Sequence, residues 1–153
     1  MTRPSFALYF GKMAVLASER ATCPRASVGA VLVRDNHMLS MGYNGAPSGL
    51  PECTQVGCAM IDQHCVRSIH SETNAVGDAA RRGISVEGAQ LFYYDSEDRE
   101  PCQGCLLVML SASITIISRV DIYGYTVASW FTKELFSSRL IPGFTQEDNL
   151  RSV

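Results

Sequence analysis

Near the N-terminus Phe6, Phe10, Met13, Ala14 and Ala17 recur at intervals of three and four residues, a spacing that predicts an amphipathic first helix. The next apolar run, VGAVLVR over 28–34, is β-branched and reads as a buried strand. Asp35-Asn36 is a turn signal, and residues 38–43 can return as the hairpin partner. Asn44-Gly45-Ala46-Pro47-Ser48-Gly49 reads as a loop, and from there to Cys65 the pattern is irregular. Helical periodicity resumes over 70–82, where Ala75, Val76, Ala79 and Ala80 lie on or near one face and Gly83 supplies the stop. A strand is predicted over 89–94, an acidic loop over 95–100, and a helix from Cys102 to about Leu110 behind Pro101. A strand over 114–118 and a terminal helix over 130–140 complete the pattern. A hairpin followed by strands alternating with helices predicts an α/β layered domain, a mixed sheet with helices on both faces. No internal repeat or linker interrupts the 153 residues, so one domain is expected.

Composition changes this picture mainly by exclusion. With 46% apolar and 18% charged residues the chain is globular rather than low-complexity. Thirteen basic against fifteen acidic residues leave a net charge of −2, which gives no broad footprint for nucleic acid. A small anionic ligand needs only one or two local cations and stays open. The longest apolar stretch, 106–117, is broken by Ser111 and Ser113 and is shorter than the roughly twenty residues that cross a bilayer. Gly11 and Lys12 interrupt the apolar run near the N-terminus and no cleavage site follows, so a signal peptide is not expected. The expected compartment is the cytoplasm, that of the host if the protein is phage-encoded, with no membrane or nucleic-acid partner.

Cysteines at 23, 53, 58, 65, 102 and 105 and histidines at 37, 64 and 70 then alter the reading. In a reducing compartment such a grouping argues for metal ligation over disulfides. Two elements stand out, His70-Ser71-Glu72 and Pro101-Cys102-Gln103-Gly104-Cys105, each opening a predicted helix. Cysteines three apart in a first helical turn face the same side, and the helix N-terminus favours the thiolate that binds metal. His70, Cys102 and Cys105 would leave one tetrahedral position for water, the arrangement of a catalytic zinc. Glu72, two residues from the histidine, is placed to carry protons. Either element alone is weak; together they form the signature of zinc-dependent deaminases.

With Thr22-Cys23-Pro24-Arg25, Val28-Gly29-Ala30-Val31, Gly42-Tyr43-Asn44-Gly45-Ala46-Pro47-Ser48-Gly49 and residues 65–75 in order, the chain resembles the deoxycytidylate (dCMP) deaminase family over about residues 5–120. That family includes phage members and bacterial late-competence homologues. The resemblance implies a cytidine deaminase-like fold with a five-stranded sheet and a zinc-dependent hydrolysis of dCMP to dUMP and ammonia, feeding thymidylate synthesis. Water would add at C4, with Glu72 protonating N3 and then delivering a proton to the departing amino group. Asn44 would contact the sugar, or serve only as a turn residue before Gly45. Arg25 and Tyr123 would face the phosphate, or be a surface charge and a packing or surface residue respectively. Alternatives are deamination of another cytosine nucleotide, such as dCTP or a base-modified dCMP, and a non-catalytic zinc module.

The same resemblance implies a second, structural zinc on Cys23 and Cys53, with Cys58 and Cys65 assigned by residue type and His64 as a substitute; the other reading is reduced structural thiols. It implies a homohexamer regulated by dCTP and dTTP, with Mg2+ accompanying a triphosphate effector, at Gly42, Tyr43, Asn44, Gly45 and Arg81. Asp78 departs from the family and would repel a triphosphate, which predicts weakened regulation. Ser71 stands where alanine is usual and is expected to have little effect. The long acidic loop over 95–100 reads as a solvated insertion, with altered substrate preference as the other reading.

Overall fold

The computed structural model describes residues 2–140. Helix α1, Phe6–Ser18, starts where the Ser5 hydroxyl accepts the Leu8 amide at 3.2 Å. Its buried Phe10 and Ala14 pack on Val31, Val33, Phe92 and Val120, forming the smaller of two cores. Strands β1, Val28–Arg34, and β2, His37–Tyr43, form the expected hairpin, with Asp35 and Asn36 both at positive φ in the turn. Helix α3 spans Ser71–Arg81, and Gly83 at φ +68° ends it. Strand β5, Gln90–Asp95, helix α4, Gln103–Ser111, and strand β6, Ile116–Val120, follow within one or two residues of the predicted limits.

The main sheet has five strands in the order β2-β1-β5-β6-β7, where β7 is Thr126–Phe131. Only β5 and β6 run parallel; every other neighbouring pair is antiparallel. α1 covers one face, while α3 and α4 cover the other over the larger core of Leu32, Leu91, Leu106, Met109 and Ile117. This mixed, three-layer arrangement is the expected one. Glycines make the close approach of helix and sheet feasible. A Cβ on Gly29 would stand 2.2 Å from the Ala14 carbonyl oxygen, and one on Gly42 2.3 Å from that of Ser71.

Two expectations need correction. The helix predicted over 130–140 begins later, as α5, Thr132–Leu140, because Trp130 and Phe131 close β7. Burial that alternates from Ala128 to Phe131 suits the edge of a sheet, and the Asp121 carboxylate caps the preceding turn by accepting the Tyr123 and Tyr125 amides, each at 2.9 Å. Nor is the stretch before Cys65 wholly irregular. It contains the single turn α2, Cys53–Val56, and a small hairpin of β3, Met60–Ile61, and β4, His64–Cys65. The Glu52 carboxylate ties it to the body by accepting from Thr22 and from the Ala46 amide.

Candidate functional site

His70 is the N-cap of α3 and Cys102 the N-cap of α4, so both lie where a chain in extended conformation turns into a helix. The two helices pack side by side on one face of the sheet, which brings their N-termini together. His70 Nδ1 is 3.3 Å from the Cys102 Sγ and 3.4 Å from the Cys105 Sγ. Tetrahedral zinc with ordinary Zn–S and Zn–N bonds would hold such atoms about 3.6 Å apart. The three donor atoms lie within 4.8 Å of one another, so this ligand set fits a zinc ion. The Cys105 amide, in the first turn of α4, donates to the Cys102 sulfur at 3.4 Å. Hydrogen bonds from Cys105 and then His70 bring the Cys102 thiol down to about 3, while the Cys102 sulfur and burial push Cys105 up. The hydrogen bond with Cys102 also raises His70.

Glu72 is 5% exposed, deep in the same cleft, and burial raises its carboxyl above the ordinary range. Ser71's buried hydroxyl donates to Glu72 Oε2 at 3.0 Å. The cleft, about 240 Å³, is lined by His70, Glu72 and Cys102 together with two cations, Arg25 and Arg99. Arg25 rests on the small hairpin, donating to the Gln63 carbonyl at 3.2 Å.

Asn44 is buried against the start of β1. Its Oδ1 accepts the Val28 amide and its Nδ2 donates to the Ala26 carbonyl, both at 2.8 Å, so its amide fastens the chain entering β1. It is not among the cleft-lining residues. Tyr123, 70% exposed, sits on the turn between β6 and β7 and also does not line the cleft.

The expected effector residues are not brought together within one chain. Gly42 lies against α3, Asn74 donates to the Tyr43 carbonyl at 2.9 Å, and Gly45 bridges to Ile69. Arg81 lies near the other end of β2, where its neighbour Arg82 donates to the Leu39 carbonyl. Asp78 pairs with Arg81 at 2.9 Å and with Arg82 at 2.8 Å, so its charge is met by two cations.

Three further sulfurs, of Cys53, Cys58 and Cys65, lie within 4.8 Å of one another, with Cys53 and Cys65 3.6 Å apart. That spacing fits ligands of one zinc ion, for which about 3.8 Å is expected. Cys23 and His64 are outside this group, although Cys23 adds to burial and Cys65 in raising the Cys58 thiol, against a lowering hydrogen bond from Cys53. Burial and then Cys65 push Cys53 up to about 12; against burial, the Arg67 and Ser68 amides bring Cys65 down to about 7.

The loop over 95–100 is solvent-exposed from Ser96 to Glu100, as expected of a solvated insertion, and is anchored at several points. Asp95 is buried and grips Arg99, Tyr93 donates to the Arg99 carbonyl, and Arg119 donates to that of Asp98. From α5, Arg139 donates to the Pro101 carbonyl and pairs with Glu100, each at 2.6 Å. Asp95, Arg99 and Glu100 all line the cleft. A signal for Arg99 was present in the sequence, since it stands four residues after Asp95, a spacing that suits an ion pair when the chain coils.

A family model described as the cytidine and deoxycytidylate deaminase zinc-binding region matches residues 4–120. ComE operon protein 2 of Bacillus subtilis (strain 168) is 38% identical over 123 residues, covering 80% of this chain and 63% of that protein. Deoxycytidylate deaminase of Mycobacterium phage D29 is 34% identical over 128 residues, covering 74% of this chain and 93% of that protein. This chain spans only 37% and 38% of the deoxycytidylate deaminases of Saccharomyces cerevisiae and Schizosaccharomyces pombe that it also matches. Among solved structures, dCMP deaminase from the cyanophage S-TIM5 in complex with dCMP and dUMP gives a TM-score of 0.64 at 28% identity, over 78% of this chain and 83% of that one.

Proposed function

Since this chain belongs to the family of the cytidine and deoxycytidylate deaminase zinc-binding region, we propose that it hydrolyses dCMP to dUMP and ammonia. The observation that carries this reading is a nearly sealed carboxyl, Glu72, sharing a cleft with three converged metal donors. A purely structural metal site has no use for such a group. Relatives named deoxycytidylate deaminase and a fold neighbour solved with dCMP and dUMP support the choice of substrate.

His70, Cys102 and Cys105 would hold a zinc ion, which when bound supplies a Lewis acid that makes water a nucleophile near neutral pH. Glu72 takes the proton of the attacking water and passes it to N3 of the cytosine ring. It then moves a second proton to the C4 amino group, which leaves as ammonia. Ser71 keeps the carboxyl turned to this path, and Arg25 meets the phosphate. Asp78 engages both Arg81 and Arg82 in ion pairs that a triphosphate effector would have to break, so activation by dCTP is expected to be weak. Cys53, Cys58 and Cys65 would hold a second, structural zinc.

Ammonia release from dCMP, dCTP, deoxycytidine and cytosine, with metal analysis of the same preparation, tests the reading. Turnover of dCMP above the others is expected. Glu72→Ala should keep the metal and lose roughly 10³- to 10⁴-fold in kcat, at the upper end for general acid–base groups because two proton transfers depend on it. Metal binding without turnover of any substrate would leave the protein a zinc-binding module.

A further inference from the structure

Of the two arginines that reach the cleft, Arg99 has so far been given no task. Asp95 braces one edge of its guanidinium, taking Nε at 3.0 Å on Oδ2 and a terminal nitrogen at 3.2 Å on Oδ1. Asp95 is itself fixed, buried at the end of β5 and accepting the Glu97 amide at 2.8 Å. The Tyr93 hydroxyl holds the Arg99 carbonyl at 3.0 Å, so the backbone beneath the side chain is pinned as well.

The opposite edge is open. The side chain is 53% exposed, and among the described residues its other terminal nitrogen, Nη1, has no protein partner. An arginine held this way has given up most of its rotamer freedom before a ligand arrives, and a planar fork suits phosphate oxygens. Glu100, on the same loop and also lining the cleft, is paired with Arg139.

We propose that Arg99 determines specificity, gripping with Arg25 the single 5′-phosphate of the substrate and so selecting a nucleoside monophosphate over the free nucleoside. This rests on the dCMP reading above and assigns the acidic loop the job of mounting that arginine.

Arg99→Ala and Arg99→Lys are compared with the parent protein for kcat/KM on dCMP and deoxycytidine, and by calorimetry for binding of dUMP and deoxyuridine. Arg99→Ala should cut the preference for dCMP over deoxycytidine at least tenfold, mainly through KM, and weaken dUMP relative to deoxyuridine by a similar factor. Arg99→Lys should recover part of both, keeping the charge without the fork. Parallel losses on both substrates, or an unchanged preference, overturn the proposal. If Arg99→Ala does not fold, as judged by metal content and melting, Arg99→Lys carries the same comparison. A parent protein that releases no ammonia from any substrate overturns the proposed function instead, and the ratio of dUMP to deoxyuridine binding then decides the role of Arg99.

Discussion

The Ser71 hydroxyl bonds the carboxyl of Glu72 where both are buried, and a hydrogen bond to a charged group is worth about 1.5–3 kcal/mol. The bond favours the carboxylate, against the burial that raises the group. Because Glu72 must be ionised to take a proton from water, activity falls as pH drops through its raised pKa. The acid limb of kcat/KM is therefore expected above the ordinary carboxylate range of about 4.3. Ser71→Ala should move that limb to still higher pH, with little change in KM, as a pH–rate profile would reveal. Neither this bond nor the capture of Asn44 by Ala26 and Val28 could be read from the sequence. Both depend on which way a side chain points once distant segments meet, and periodicity carries no such information.

Elements were legible wherever a local rule acted alone. The turn residues Asp35-Asn36 announced the hairpin, and the motifs at His70 and Cys102 announced two helix starts. β7 was hidden because it runs into α5 with no glycine or proline at the Phe131–Thr132 junction. Where two elements nearly touch, tolerance is small. Gly42→Ala would drive a methyl against the first turn of α3, and a loss of about 1–3 kcal/mol is expected in denaturant unfolding. On the proposed second zinc, the β3–β4 hairpin is held by Cys53, Cys58 and Cys65. Cys58→Ser should lower the zinc content by one ion per chain and raise KM for dCMP more than it lowers kcat, because Gln63 and His64 of that hairpin form cleft wall and Arg25 leans on it.

At the scale of the molecule, the family match ends at residue 120, yet α5 reaches back to the segment that presents Cys102. Arg139→Ala should speed zinc release to a chelator roughly tenfold, the low end for changes made behind a metal ligand. This long-range support was unreadable in advance, since 38 positions separate Arg139 from Pro101. The donors themselves are also far apart along the chain: His70 and Cys102 are separated by 32 positions, and strand β5 lies between them at the centre of the sheet. An ion cannot template the early stages of folding from such a distance. For this ion the polypeptide is expected to assemble first and load last, unlike small domains that stay unfolded until zinc arrives. Stripped of the ion held by His70, Cys102 and Cys105, the protein should keep its near-ultraviolet circular dichroism and regain that ion within the mixing time of a stopped-flow experiment, with no slow refolding phase.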